Sequence, residues 1–326
     1  MSFFSKTVWF LKGLKEYTKG GYEAAAKNFN LNDLVNSDVH GASYMITGAN
    51  SGIGKVAALE IAKCGGTVHL VCRNKERGEA AASEIKQLAN NESVFLHVVD
   101  LAKPVDVHKF TTNFVKGQNK LDVLINNAGC MNHERKLDTF GFESNFATNT
   151  LAVHILTKGL LPLIEQSSDP RVIMVSSGGM LTEKLKVADL QSEKMKPFDG
   201  TSAYAQQKRQ QVIMTEMYAQ QSPNVKFSSM HPGWADTIAV QQSMPSFHAR
   251  MKNKLRTAEQ GADTIVWLAL SPSAKSIPSG KFFQDRKPVA THLPLSWTQA
   301  SDADRNQLMN SLDDMLKQVK DTAGDS

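Results

Sequence analysis

From about residue 42 onward, short apolar runs alternate with longer stretches whose apolar residues recur every three to four positions. The runs at 43–47, 67–72, 94–100, 121–125, 171–176 and 226–230 predict β-strands. Most are nearly continuous in Val, Ile, Leu and Met, which marks a sheet covered on both faces. The stretches at 54–64, 77–88, 105–115, 140–164 and 204–220 predict helices. Such alternation requires right-handed crossovers, so the expectation is an α/β chain with a doubly wound parallel sheet of about seven strands. Near residue 287 the pattern changes. Leu308, Leu312, Met315, Leu316 and Val319 share one face of a terminal helix, which predicts a docked cover. The expected organisation is a single domain at 41–286 with extensions at 1–40 and 287–326.

The N-terminal extension has two readings. Phe3, Phe10, Leu14 and Tyr17 fall at helical spacing, with Lys12, Lys15 and Lys19 offset from them. Broad apolar stripes usually face a core, which favours a helix packed on the domain. The other reading is a peripheral membrane contact through residues 1–20, with aromatics among the headgroups and lysines on anionic lipid. Trp9 falls off the stripe, and Gly13, Gly20 and Gly21 weaken the helix. Lys6 and Lys12 bracket too short an apolar run for a secretory signal, whose core needs ~7–15 residues.

Composition narrows the class. No apolar run in the 326 residues approaches the ~18 needed to span a membrane, and mean hydropathy is −0.31. Cys64, Cys72 and Cys130 are too scattered for a disulfide framework or a zinc site, so no metal is expected and a reducing compartment is. The expected location is cytoplasmic, or peripheral on the cytoplasmic face of an intracellular membrane, and not secreted. A net charge of +5 without a basic, aromatic-laced cluster argues against nucleic acid as partner.

The candidate chemistry follows the ends of the predicted strands. Thr47-Gly48-Ala49-Asn50-Ser51-Gly52-Ile53-Gly54 follows the first strand and opens a helix. Glycines there let the backbone approach a pyrophosphate, and helix N–H groups face it. The Gly-Lys-Ser/Thr ending of an ATP-binding loop is missing, which disfavours phosphoryl transfer. Arg73 ends the second strand, where an acidic residue would hold the ribose hydroxyls of NAD; a guanidinium suits a 2′-phosphate. Asp100 and Leu101 end the third, and Asn126, Asn127, Ala128 and Gly129 the fourth. Ligands of open α/β sheets bind on this rim. Tyr204 and Lys208 stand one helical turn apart on one face. A nearby cation favours the phenolate, which would bring a phenol of pKa ~10 toward acid–base work. Ser176-Ser177, ending the fifth strand, offers a hydroxyl for a substrate oxygen, and Asn149 is a polar residue in a helix that otherwise reads as buried.

Together these residues resemble the short-chain dehydrogenase/reductase family over about residues 40–285. Its Thr-Gly-x-x-x-Gly-x-Gly pattern is complete at 47–54 and its Asn-Asn-Ala-Gly at 126–129. Its tetrad falls on Asn149, Ser177, Tyr204 and Lys208; Ser177 is chosen because the family serine directly precedes a turn. Pro232, Gly233 and Thr237 match the segment that closes over the nicotinamide. Val71-Cys72-Arg73 and Asp189-Leu190-Gln191-Ser192-Glu193 resemble its retinol-dehydrogenase-like group. Longer stretches, such as 177–181 and 229–237, resemble an orphan branch. The separation of Ser177 from Tyr204 exceeds that in most members.

The resemblance implies a Rossmann fold and hydride transfer between a nicotinamide and a carbonyl/alcohol pair. Tyr204 would exchange the proton, Ser177 would orient the oxygen, and Lys208 would bind the ribose and lower the Tyr204 pKa. Asn149 would hold a relay water. Thr47, Gly48, Asn50, Ser51, Gly52, Ile53, Gly54, Arg73, Asp100, Leu101, Asn126, Ala128, Gly129, Tyr204, Lys208, Pro232, Gly233 and Thr237 would bind the cofactor. Arg73 implies NADP(H) in preference to NAD(H). Segments 181–202 and 239–256 would form a lid, with Met180, Leu181, Met244 and Phe247 facing an apolar, lipid-like, steroid or retinoid ligand. A homo-oligomer is an open expectation, since the helices at 140–164 and 204–220 are those the family uses for assembly. A non-catalytic, redox-sensing nicotinamide module, at a membrane or not, is the alternative.

Overall fold

The computed structural model describes residues 3–34, 37, 39–117 and 120–324, with the backbone alone at 3–6. Two N-terminal helices, α1 (Phe3–Glu16) and α2 (Lys19–Ala26), precede β1 (Ser43–Thr47). The alternation then runs α3 (Gly52–Lys63), β2 (Thr67–Cys72), α4 (Lys75–Ala89), β3 (Val94–Val98), α5 (Pro104–Gly117) and β4 (Val123–Asn126). A long helix follows in three parts: α6 (Ser144–Phe146), a widened π turn (Ala147–Leu151) and α7 (Ala152–Ile164). Next come β5 (Arg171–Val175), α8 (Gly200–Gln221), β6 (Lys226–His231), α9 (Ile238–Ser243), α10 (Pro245–Met251), α11 (Ala258–Leu270) and α12 (Pro272–Ser276). The chain ends with β7 (Lys281–Gln284), β8 (Lys287–Pro288) and α13 (Asp302–Ala323).

The strands form one sheet in the order β3-β2-β1-β4-β5-β6-β7-β8. All neighbours pair in parallel except the last, a short antiparallel hairpin from β7 to β8. This is the expected Rossmann-type sheet. Its strand order reverses between β1 and β4, where open α/β sheets bind ligands. Side chains alternate across the sheet: Met45, Leu124, Val172 and Met174 enter one core, while Tyr44, Ile46, Ile125 and Ile173 enter the other. Both faces are therefore dry, which is why the inner strands read as unbroken apolar runs.

Local chemistry moves several element ends. The helix expected from 140 begins at Ser144, because the Glu143 carboxylate accepts the N–H groups of Asn145 (3.0 Å) and Phe146 (2.8 Å). Helix α8 begins at Gly200, four residues early, because Asp199 accepts from Thr201 N–H at 3.0 Å and Ser202 Oγ at 2.7 Å. The third strand ends at Val98, leaving Asp100 in the following turn.

Both chain ends pack on the domain. Helix α13 buries Leu308, Met309, Leu312, Leu316 and Val319 in the core shared with α5, α7 and α8, while Met315 is half-buried. Asp313 accepts from His154 Nε2 (3.0 Å), and Arg305 pairs with Glu216 (2.6 Å). At the other end, Trp9, Phe10, Leu14 and Tyr17 pack around Trp234, Met251 and Leu255. Trp9 Nε1 donates to Gly178 O at 2.7 Å, and Trp234 N–H donates to Tyr17 O at 2.7 Å. Gly13 serves this approach, since a Cβ there would overlap the Trp234 ring. Residues 1–2 and the Phe3 side chain of the expected stripe lie outside the described residues. Among the described residues, no helix is long and apolar enough to cross a membrane.

Candidate active site

The Gly-rich turn joins β1 to α3 at the strand-order reversal. Gly48 (φ +69°) and Gly52 (φ +55°) adopt left-handed conformations that disfavour a side chain. The Thr47 hydroxyl accepts the N–H groups of Asn127 (3.0 Å) and Ala128 (2.9 Å), and Asn127 Nδ2 donates to Thr47 O at 2.8 Å. These bonds hold the ends of β1 and β4 side by side. Asn127 is thus a latch absent from the expected binding residues, although the Asn-Asn-Ala-Gly motif contains it. Ser51 precedes α3 without a side-chain cap bond, and residues 50–53 present that helix start to the rim. An uncapped start beside a turn with glycine at 48 and 52 fits a pyrophosphate.

Around this turn, Arg73 lies exposed directly after β2. Asp100 accepts from Ala102 N–H at 3.1 Å, Leu101 is buried, and the buried Asn126 donates to Thr157 Oγ1 at 3.4 Å. The loop after β6 returns over the glycines: a Cβ on Gly52 would lie 3.4 Å from Thr237 Cγ2. Gly233 (φ +79°) packs so tightly on Arg256 that a Cβ would overlap the guanidinium, and Pro232 O accepts from Arg256 Nη1 at 3.3 Å. Thr237 caps α9 by accepting from Val240 N–H.

The reactive side chains stand where β5 ends beside α8. The Ser176 hydroxyl is buried and donates to Lys208 O at 2.8 Å. Ser177 is half-buried and accepts from Gly179 N–H at 3.2 Å. Its hydroxyl lies on the side of Tyr204 and draws that phenol's pKa down. Burial outweighs it, and with Cys130 nearby the Tyr204 pKa lies above its ordinary value. Lys208 Nζ stands 5.4 Å from the Tyr204 ring centre and donates instead to Val175 O (2.7 Å) and Gln211 Oε1 (3.2 Å). Burial pushes the Lys208 pKa down to about 7. Lys208, expected to lower the Tyr204 pKa, is not among the groups that move it in this structure, since an amine that titrates at about 7 carries only part of its charge at neutral pH.

Asn149 sits in the π turn, a feature often found at functional sites. Its Oδ1 accepts from Cys130 N–H (2.9 Å), and its Nδ2 donates to Cys130 O (2.7 Å) and Gln207 Oε1 (2.7 Å). Its backbone carbonyl accepts from Gln211 Nε2 at 2.6 Å. Gly129 lies between the groups, since a Cβ there would stand 3.3 Å from Asn149 Oδ1 and 3.4 Å from Lys208 Nζ.

Gln207 and Gln211 had escaped notice in the sequence. Residues 206–211 of α8 are all polar or charged and so read as a solvated face, yet the structure buries all of them. Met180 and Leu181, expected to face a ligand, are instead core residues packed with Val212, Phe282 and Leu293. The 3₁₀ turn Gly178–Thr182 points them inward. Met244 and Phe247 remain half-buried at the junction of α9 and α10.

The short chain dehydrogenase family model matches residues 43–246. Human dehydrogenase/reductase SDR family member 12 is 56% identical over 320 residues, covering 98% of this chain and all of the relative. Human retinol dehydrogenase 12 is 32% identical over 290 residues, covering 88% of each chain. A solved Mycobacterium paratuberculosis structure of an uncharacterised protein superposes with TM-score 0.67 at 27% identity, over 86% of this chain and 95% of its own. The chain belongs to the short-chain dehydrogenase/reductase family, NAD(P)-dependent oxidoreductases that act on CH–OH and C=O groups.

Proposed function

We propose that this chain catalyses reversible hydride transfer between NADP(H) and an apolar carbonyl/alcohol pair, with Asn149, Ser177, Tyr204 and Lys208 as its catalytic set. The observation that carries the reading is the grouping of the Ser177 hydroxyl, the Tyr204 phenol and the Lys208 amine next to Gly129, whose neighbour Ala128 abuts the Gly-rich turn at Gly48. The nicotinamide, when bound, gives or takes the hydride at the carbonyl carbon. Tyr204, with its pKa raised by burial, keeps its proton at neutral pH and gives it to the carbonyl oxygen during reduction. Ser177 orients that oxygen. Lys208 offers its remaining N–H to the cofactor's ribose, and Asn149 braces the segment 129–130 beneath it.

Arg73 supports NADP(H) over NAD(H). The end of β2 carries no carboxylate to repel a 2′-phosphate, and the exposed guanidinium can grip one by forked hydrogen bonds. A hydrogen bond to a charged group is worth ~1.5–3 kcal/mol, or about ten- to a hundredfold in affinity. Phe247, packed on Trp234, and the half-buried Met244 support an apolar substrate, and the retinol dehydrogenase relatives put retinoids on the panel to be tried.

The test is a titration of NADPH and NADH against the unmodified chain and Arg73→Asp, followed by turnover on aldehydes, ketones and retinoids. NADPH should bind more tightly to the unmodified chain, and Arg73→Asp should reverse the order. Tighter NADH binding by the unmodified chain would make Arg73 a plain surface residue. Cofactor binding without turnover across the panel would favour a sensing module.

A further inference from the structure

The three glutamines of α8 nearest the site form a clamp on the widened turn. Gln207 accepts from the Asn149 side chain at 2.7 Å, and Gln210 accepts from Thr150 Oγ1 at 2.7 Å. Gln211 differs from both because its two partners are the Asn149 turn and Lys208. Its Nε2 donates to Asn149 O at 2.6 Å, while its Oε1 accepts from Lys208 Nζ at 3.2 Å. An ammonium only donates and a carbonyl only accepts, so this amide orientation alone satisfies both neighbours. Gln211 is 0% exposed and Lys208 2%, so water competes poorly for either bond. With Val175 O as the second acceptor, two of the three Lys208 N–H directions are fixed by protein groups among the described residues.

We propose that Gln211 is a positioning residue for Lys208, tying the lysine to the Asn149 turn so that its remaining N–H faces the cofactor. This deepens the dehydrogenase reading and rests on it. Lys208 and Gln211 stand three positions apart on one helix face, so the clamp depends on their spacing as well as their chemistry. Gln211 needs no contact with substrate to act. Its effect passes through Lys208.

A double-mutant cycle tests this in the full-length chain, with NADPH affinity and carbonyl turnover as separate readouts. Gln211→Met, of similar length but without either hydrogen bond, should weaken NADPH binding and lower kcat/KM by about tenfold or more. In a Lys208→Met background the same change should alter NADPH affinity by less than about twofold. Equal losses in both backgrounds would mean that Gln211 is only a packing residue, and the proposal would fail. Gln211→Glu is the second variant, in case the methionine protein does not fold. It keeps an acceptor toward Lys208 and adds a negative charge, so the lysine should hold its proton to higher pH. The groups facing Lys208 are Tyr204 on the same helix and Cys130 after β4, with Arg73 acting on Cys130. The pH above which NADPH binding weakens should therefore rise in Gln211→Glu, and an unmoved profile would overturn the proposal. The binding arm needs no substrate. If the unmodified chain binds NADPH yet reduces nothing, the functional reading fails while the binding cycle still decides the role of Gln211.

Discussion

Arg256→Met should destabilise the protein and loosen the loop that closes over the cofactor site. Arg256 is 1% exposed and donates to both oxygens of the buried Asp285, at 2.6 and 3.0 Å. It also donates to Glu16 O (2.6 Å), Thr18 O (3.3 Å) and Pro232 O (3.3 Å). One guanidinium thus joins the N-terminal helices, the loop after β6 and the turn after β7. Methionine fills much of the same space, so the change isolates the loss of charge and donors. Removing one partner of a buried pair costs about 3–5 kcal/mol, because the other charge is left uncompensated. Urea unfolding at pH 7, followed by tryptophan emission, should show a stability loss in that range. Arg256→Met with Asp285→Asn should recover more than half of it. NADPH affinity should fall in the single variant, because Gly233 rests on the guanidinium. A single-variant loss below about 1 kcal/mol, or no recovery in the double variant, would refute the reasoning.

Tyr204→Phe should lower turnover by at least ~100-fold while NADPH affinity stays within a few-fold, measured by steady-state kinetics and calorimetry; equal losses in both would make the phenol structural. Leu312→Ala, at a fully buried position of α13, should cost about 2–5 kcal/mol in urea unfolding, whereas a surface cover would lose almost nothing. Lys208 predicts a pH dependence without cofactor. In the folded chain it releases its proton near about 7, whereas unfolded it keeps it to its ordinary value of 10.5. Between those values the unfolded state binds more protons, so stability rises with pH, by up to about 1.4 kcal/mol per pH unit. Lys208→Met should flatten that rise, and an unchanged slope would assign it to other groups.

The inner strands were legible because they are buried on both faces. Their apolar runs are unbroken, and β1 and β2 begin and end where the runs do. Strand β7 escaped because Lys281-Phe282-Phe283-Gln284 is too short to show a period. The delayed helix start at Ser144 depends on the Glu143 carboxylate reaching its own backbone, which periodicity does not register. At the site, the Gly-rich turn and the Tyr204–Lys208 pair could be read directly, since each chemistry is local in the chain. Ser176 and Ser177 could not be told apart on their own residues, because the distinction lies in a hydroxyl bond to Lys208 O, 32 residues away. The clamp was hidden for a related reason. Gln207 and Gln211 look like a solvated helix face until α6 and its widened turn are packed against them.

The docking of α1 has a consequence for how the chain is made. Its partners are Gly178, Trp234, Arg256 and the α10 residue Met251, all more than 160 positions downstream. A 14-residue helix is marginal in water on its own, since isolated helices below ~12–15 residues scarcely hold. During synthesis, at about 5–20 residues per second, Trp9, Phe10 and Leu14 leave the ribosome before the surfaces they will cover and wait tens of seconds or less for them. Throughout that interval the nascent chain shows an apolar, lysine-flanked segment to chaperones and lipid. Trp9, Phe10 and Leu14 are covered only once residues 234–256 have followed them and folded.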